Sequence, residues 1–142
     1  MNENDKQLRG KVHSAVYALV RDKGFASPAD VLISIGVISK ADYENWRFGR
    51  VDYLERVCKV NLRKLSVVNR EIRAYAKQHN LKPSWTDYRK WGKGENIRLR
   101  FSKSGDEQIE RFYATHYIGQ QKADEAASRK AQKKDDKNEI IE

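Results

Sequence analysis

Residues 53–79 constrain this chain most, because their apolar and cationic side chains both recur at helical spacing. Leu54, Cys58, Leu65, Val68, Ile72 and Ala76 share one face, which Val57 and Tyr75 widen. The spacing predicts the longest helix of the chain over 53–79, with Asn61 as a break or kink and Asn80 as a C-terminal cap. On an adjacent arc of roughly 100° stand Arg56, Lys59, Arg63, Arg70, Arg73 and Lys77, in a row about 30 Å long at about 1.5 Å per residue. Only Glu55 and Glu71 offset them on this stretch. A surface helix must be polar somewhere, and Lys and Arg are good helix formers, but that leaves the scarcity of acids unexplained.

The whole chain repeats that imbalance. Its 142 residues carry 29 Lys and Arg against 20 Asp and Glu, a formal charge of +9. Residues 47–100 hold fifteen basic and five acidic side chains, a net of +10, while residues 120–142 hold six of each. A focused positive field of this kind attracts polyanions, nucleic acid above all.

Around the long helix the chain is punctuated by caps and breakers. Leu8, Val12, Ala15, Val16, Leu19 and Val20 predict a first amphipathic helix over 8–23, stopped by Gly24. Ser27 and Pro28 suit the cap and first position of a short helix ended by Gly36. Ser39 opens another, with Asp42 three residues on, Tyr43 and Trp46 on one face, and Gly49 as its end. The two short helices have the proportions of a helix-turn-helix. Against that reading, Asp42 and Asn45 stand where the second helix is usually apolar, and Asp42 and Glu44 would repel phosphate. The stretch Trp46–Glu55 reads first as a structural turn in which Arg47 and Arg50 pair with Asp52 and Glu55, and otherwise as a segment that exposes Arg47 and Arg50 to a ligand.

Beyond Pro83 the pattern changes. Ile97, Leu99 and Phe101 alternate with Arg98, Arg100 and Ser102, the period of a half-buried strand, and residues 92–96 read as a turn. The segment 84–102 is therefore predicted as a β-hairpin, although Trp85, Tyr88 and Trp91 at spacing three also suit a helical turn. Interleaved aromatics and cations here can stack bases and grip phosphates, but in a small domain Trp and Phe are more often core, with the cations on the outer strand face. Arg98 and Arg100, on the polar side of the alternation, are the better candidates for backbone contact. Ser104 and Glu107 predict a capping box for a closing helix carrying Ile109, Phe112, Tyr113 and His116 or Tyr117, ended by Gly119. Residues 120–142 read as a charged tail, a frayed helix or disordered.

The expected architecture is mainly helical α+β: three short N-terminal helices, a long central helix, a β-hairpin and a closing helix. One folded basic domain spans 1–119 and the tail spans 120–142. A single cysteine, Cys58, excludes an internal disulfide. The polar N-terminus shows no signal peptide, and no apolar run reaches the roughly 20 residues of a membrane helix, so a cytoplasmic location is expected. His13, His79 and His116 lack metal-ligand spacing, and no nucleophile-elbow or phosphate-loop motif occurs, so neither cofactor nor metal is expected. An enzyme would have to assemble distant residues such as Glu110, Tyr113 and His116.

Several segments together carry a resemblance: Ser27-Pro-x-Asp-Val-Leu, Asp42-Tyr-x-x-Trp-Arg-Phe-Gly-Arg-Val-x-Tyr-Leu-Glu55, Leu81-Lys-Pro-Ser-Trp-Thr86, and Leu99-Arg-Phe-Ser-Lys-Ser-Gly-Asp106 through Tyr113-Ala-Thr-His116. Over about residues 10–118 the chain resembles a family of small uncharacterised bacterial proteins. The resemblance implies a bacterial source and one continuous domain, and carries over no activity or site residue. The function expected from the charge is non-catalytic nucleic-acid binding, mainly to the phosphate backbone, through Arg56, Lys59, Arg63, Arg70, Arg73 and Lys77, with Arg98 and Arg100 from the hairpin. The alternative is a protein-interaction module with a basic face for an acidic partner.

Overall fold

The computed structural model describes residues 2–120, and the tail predicted beyond Gln120 lies outside them. The elements run α1 (Glu3–Lys23), β1 (Phe25–Ala26), α2 (Pro28–Ser34), α3 (Lys40–Arg47), a 3₁₀ turn (Leu54–Val57), α4 (Leu62–Gln78), β2 (Lys82–Trp85), α5 (Glu107–Ala114) and β3 (Thr115–Ile118). This is the mainly helical α+β outline that the sequence predicts.

Short polar side chains start the helices. Asn2, Ser27, Ser39 and Asn61 each accept a hydrogen bond from the backbone N–H three residues on, at 2.7–3.1 Å. Gly24 stops α1 in the left-handed region, at φ 84°, where a side chain would be strained.

α1 and α4 lie side by side. Asp5 meets Arg63 and His13 meets Glu71, each pair 58 residues apart, so the two helices run parallel in register. Their inner faces contribute Val12, Val16, Leu65, Val68 and Ile72 to the core. Trp46 is fully buried at the centre and donates from Nε1 to the Arg100 carbonyl at 2.8 Å. Phe101 packs against Trp46, Tyr88 and Tyr113, with ring centroids 4.9–5.4 Å apart.

Four details depart from the predicted outline. α1 begins at Glu3 rather than Leu8, because Asn2 caps it. The central helix, predicted as the longest, is at 17 residues shorter than the 21-residue α1 and begins only at Leu62. Ahead of it, the Leu54 and Glu55 N–H groups donate to the Arg100 and Phe101 carbonyls, and the Lys59 N–H to the Val37 carbonyl, so 53–60 is pinned from outside and cannot continue the helix. The hairpin is narrow: Tyr88 and Lys90 exchange backbone bonds with Leu99 and Ile97 around a single Arg89–Arg98 bridge, while residues 82–85 pair elsewhere. Their partner is β3, which the sequence assigns to the closing helix. That helix stops at Ala114, and its cap is Asp106 rather than Ser104.

β3 runs antiparallel to both neighbours in the order β1-β3-β2, with Phe25 opposite Ile118 and Trp85 opposite Thr115. Gly119 then donates to the Gly24 carbonyl at 2.8 Å. A Cβ there would fall 2.8 Å from Val20 Cγ1, so only glycine lets the sheet close against α1.

Candidate nucleic-acid interface

The six-cation row expected over 56–77 does not exist as one helix face. Arg56 falls on the 3₁₀ turn, where it pairs with Asp52 at 2.8 Å, and Lys59 lies exposed on the link before α4. Only Arg63, Arg70, Arg73 and Lys77 stand on α4.

Two of these four meet a carboxylate. Arg63 donates to both carboxylate oxygens of Asp5, at 3.1 and 3.3 Å, and this contact holds Asp5 below the usual aspartate pKa. Arg70 Nε lies 3.9 Å from Glu71, whose side chain is only 8% exposed and also meets His13 at 3.1 Å and Arg9 at 3.5 Å. A carboxylate buried between two helices needs such partners, because an unpaired charge there is strongly destabilising. Arg63 thus joins α4 to α1, while Arg70 pairs with its own neighbour on α4.

Arg73 has a third role. Its guanidinium lies 3.7 Å from the Phe112 ring centroid, one terminal nitrogen is buried without an acceptor, and burial lowers its pKa from the ordinary arginine value. It lines a 230 Å³ pocket with Leu62, Ile109 and Phe112. Lys77 alone is exposed and, among the described residues, free of any ion pair.

On the hairpin, Arg98 donates to Asp87 at 3.0 Å and lies over the Trp85 ring at 5.5 Å. Asp87 also accepts from Arg89 at 2.7 Å, and the Arg89 and Arg98 guanidiniums hold it below the ordinary aspartate pKa. Arg100 stacks over Tyr53 at 5.2 Å and has no carboxylate partner among the described residues.

The turn pairing expected of Arg47 and Arg50 is also corrected. Asp52 pairs with Arg56, and Glu55 accepts from the Tyr113 hydroxyl and the Lys103 N–H. Arg47 instead lies against the Tyr88 and Trp91 rings, at 4.8 and 4.5 Å, with its Nε buried and without an acceptor. Arg50 lies over Phe48 at 4.9 Å and donates to Asn45. The Trp91 N–H donates to the Arg47 carbonyl at 2.7 Å, which ties the hairpin tip to the end of α3. Phe48 and Trp91 meet edge to face at 5.6 Å and remain 38% and 39% exposed. The stem of Lys90 lies along Gly49, whose Cβ would come within 3.1 Å of it. Exposed rings can stack on bases and unpaired cations can hold phosphates, and the tip offers both.

Glu110, Tyr113 and His116 belong to three separate contacts. Glu110 accepts from the Phe101 and Ser102 N–H groups, Tyr113 donates to Glu55 at 2.7 Å, and His116 Nε2 meets the Tyr88 hydroxyl at 2.7 Å. Burial lowers the His116 pKa and raises those of Tyr88 and Tyr113. It pushes the Cys58 thiol up to about 12, and Cys58 Sγ donates to the Leu54 carbonyl. The described residues hold no cluster of three metal-ligating side chains, and no helix among them is long and apolar enough to cross a membrane.

No protein-family model matches the chain, and neither a curated protein nor a solved structure matches it.

Proposed function

We propose that this protein is a non-catalytic nucleic-acid-binding protein of the cytoplasm that holds its ligand mainly by the phosphate backbone. One observation carries the reading: within 47–100, Arg47, Arg50, Lys59, Lys77, Lys90, Lys93 and Arg100 form no ion pair with a described carboxylate. Unneutralised cations at a surface are the groups that release counterions from a polyphosphate. Arg56, Arg63, Arg70 and Arg98 support them, since each side chain stays more than half exposed beside its carboxylate. The bacterial resemblance over 10–118 adds a boundary to this reading and no activity.

Fluorescence anisotropy with labelled single- and double-stranded DNA and RNA, titrated across salt, tests it. Micromolar or tighter binding that weakens linearly in log salt is expected, with the slope counting the phosphates engaged. Absence of binding at low salt rejects the reading.

A second reading, an interaction module for an acidic protein, is favoured by one feature. Leu62 and Ile109 are exposed at the rim of the 230 Å³ pocket beside Arg73, and apolar surface next to a cation suits a protein partner. Recovery of one defined protein by a chain that ignores nucleic acid would put this reading first.

A further inference from the structure

We infer that the hairpin tip is a stacking platform selective for single-stranded nucleic acid. Bases rest on Trp91 and Phe48, while Arg50, Lys90 and Lys93 take the flanking phosphates. The inference rests on the phosphate-binding reading above and assigns it a place and a ligand class.

The platform is preorganised. Phe48 fixes Trp91 edge to face at 5.6 Å, Tyr43 approaches the indole at 6.1 Å, and Arg47 lies over it at 4.5 Å, yet more than a third of each of the Phe48 and Trp91 surfaces stays open. A tryptophan left this exposed after three contacts is not completing the core, whose centre is the fully buried Trp46. In the two segments that carry the rings, 47–50 and 89–100, cations outnumber acids seven to one. Between Tyr88 and Phe101 the only acid is Glu95, and Arg47, Arg50, Lys90 and Lys93 pair with no described carboxylate.

Duplex bases are stacked on one another and offer no free π-face to such rings, whereas every base of a single strand does. Trp85 is the contrasting ring. It is 54% exposed, but its partner Arg98 is bound to Asp87, and Glu107 and Glu110 line the same groove, which makes it a poor place for phosphate.

The test is anisotropy with the full chain on labelled oligo(dT) and on a duplex of equal length. Trp91→Ala and Phe48→Ala are each expected to weaken oligo(dT) binding about 5- to 150-fold, the range for loss of one stacked base. The salt slope and duplex affinity should stay unchanged, and Trp85→Ala should bind as the parent does. In the Trp85→Phe background, oligo(dT) should quench the remaining accessible indole, Trp91. Phe48→Ala keeps the test sharp if Trp91→Ala does not fold.

Three results overturn the platform: undiminished oligo(dT) binding in both variants, equal losses on single strand and duplex, or competition by uridine monophosphate as effective as by the strand. Parent protein that binds duplex alone sinks the platform and leaves phosphate binding standing. Parent protein that binds neither brings down both.

Discussion

The α1–α4 seam and the hairpin tip are both rich in cations, and they use them in opposite ways. At the seam, Arg9, Arg63 and Arg70 are drawn to Asp5 and Glu71, two carboxylates about 10% and 8% exposed. At the tip, Arg47 and Arg50 rest on aromatic rings and find no carboxylate among the described residues. Equal charge on paper therefore means cohesion in one place and an available surface in the other. In the row of cations most conspicuous in the sequence, Arg56, Arg63 and Arg70 already have a carboxylate beside them, and Arg63 joins α1 to α4. The surface better suited to a polyanion lies where cations and rings interleave.

Four measurements can break or sharpen that contrast. Glu71→Lys should have the largest effect, because it sets a third cation beside Arg9 and Arg70 and removes the partner of His13. A loss of about 3–5 kcal/mol in urea denaturation is expected, and a loss below about 1 kcal/mol would mean that the seam does not need its carboxylate.

Acid should then act at two places, on the seam through Asp5 and on the contact between β3 and the hairpin through His116. His116 has a lowered pKa in the fold, so unfolding takes up a proton, and stability declines as pH falls below its unfolded value of about 6.5. Protonation also removes the ring nitrogen able to accept from Tyr88. Asp5, whose pKa is lowered, contributes stability above about pH 4 that is lost as pH falls through its folded value. Thermal melts from pH 8 to pH 3 should show both declines. His116→Gln should flatten the first and Asp5→Asn the second.

Lys90→Glu combined with Lys93→Glu should do the reverse of Glu71→Lys. It should leave stability within about 0.5 kcal/mol while lowering nucleic-acid affinity and the salt slope. A melting point that falls as far as in the seam variant would erase the distinction between the two regions.

The smallest effect reports opening of the fold from the segment ahead of α4. The Cys58 thiol, raised to about 12 and bonded to the Leu54 carbonyl, should react slowly with iodoacetamide in the parent. The rate should rise in Glu71→Lys and stay unchanged in the Lys90/Lys93 variant.

The starts of α2 and α3 were legible because Ser27 and Ser39 act on neighbours three residues away, whereas Asn61, read as a break or kink, caps α4 in the same way. What was not legible depends on distant partners. The 54–60 segment has helical spacing, yet carbonyls at residues 37, 100 and 101 claim its N–H groups. Tyr113, His116 and Tyr117 continue a helical pattern, yet Thr115–Ile118 becomes a strand because two short segments, 25–26 and 82–85, need a common partner.

The cations of the site were readable one by one, but not their neutralisation, since Asp5 and Arg63 lie 58 residues apart. A signal did exist. Asp5 falls in phase with Leu8, Val12 and Leu19, and Glu71 lies between Val68 and Tyr75, so both acids sit on the apolar arcs of their helices. An acid in that phase announces a buried partner of opposite sign.

The central position of β3 bears on how the chain is born. Both outer strands leave the ribosome before the strand that joins them, and Phe25 must wait for Ile118. At translation rates of about 5–20 residues per second, that delay is on the order of 5 to 20 s. Through that interval β1 and then β2 present unpaired edges, so a nascent chain arrested before Thr115 is the form of this protein most exposed to capture by chaperones or by its own copies.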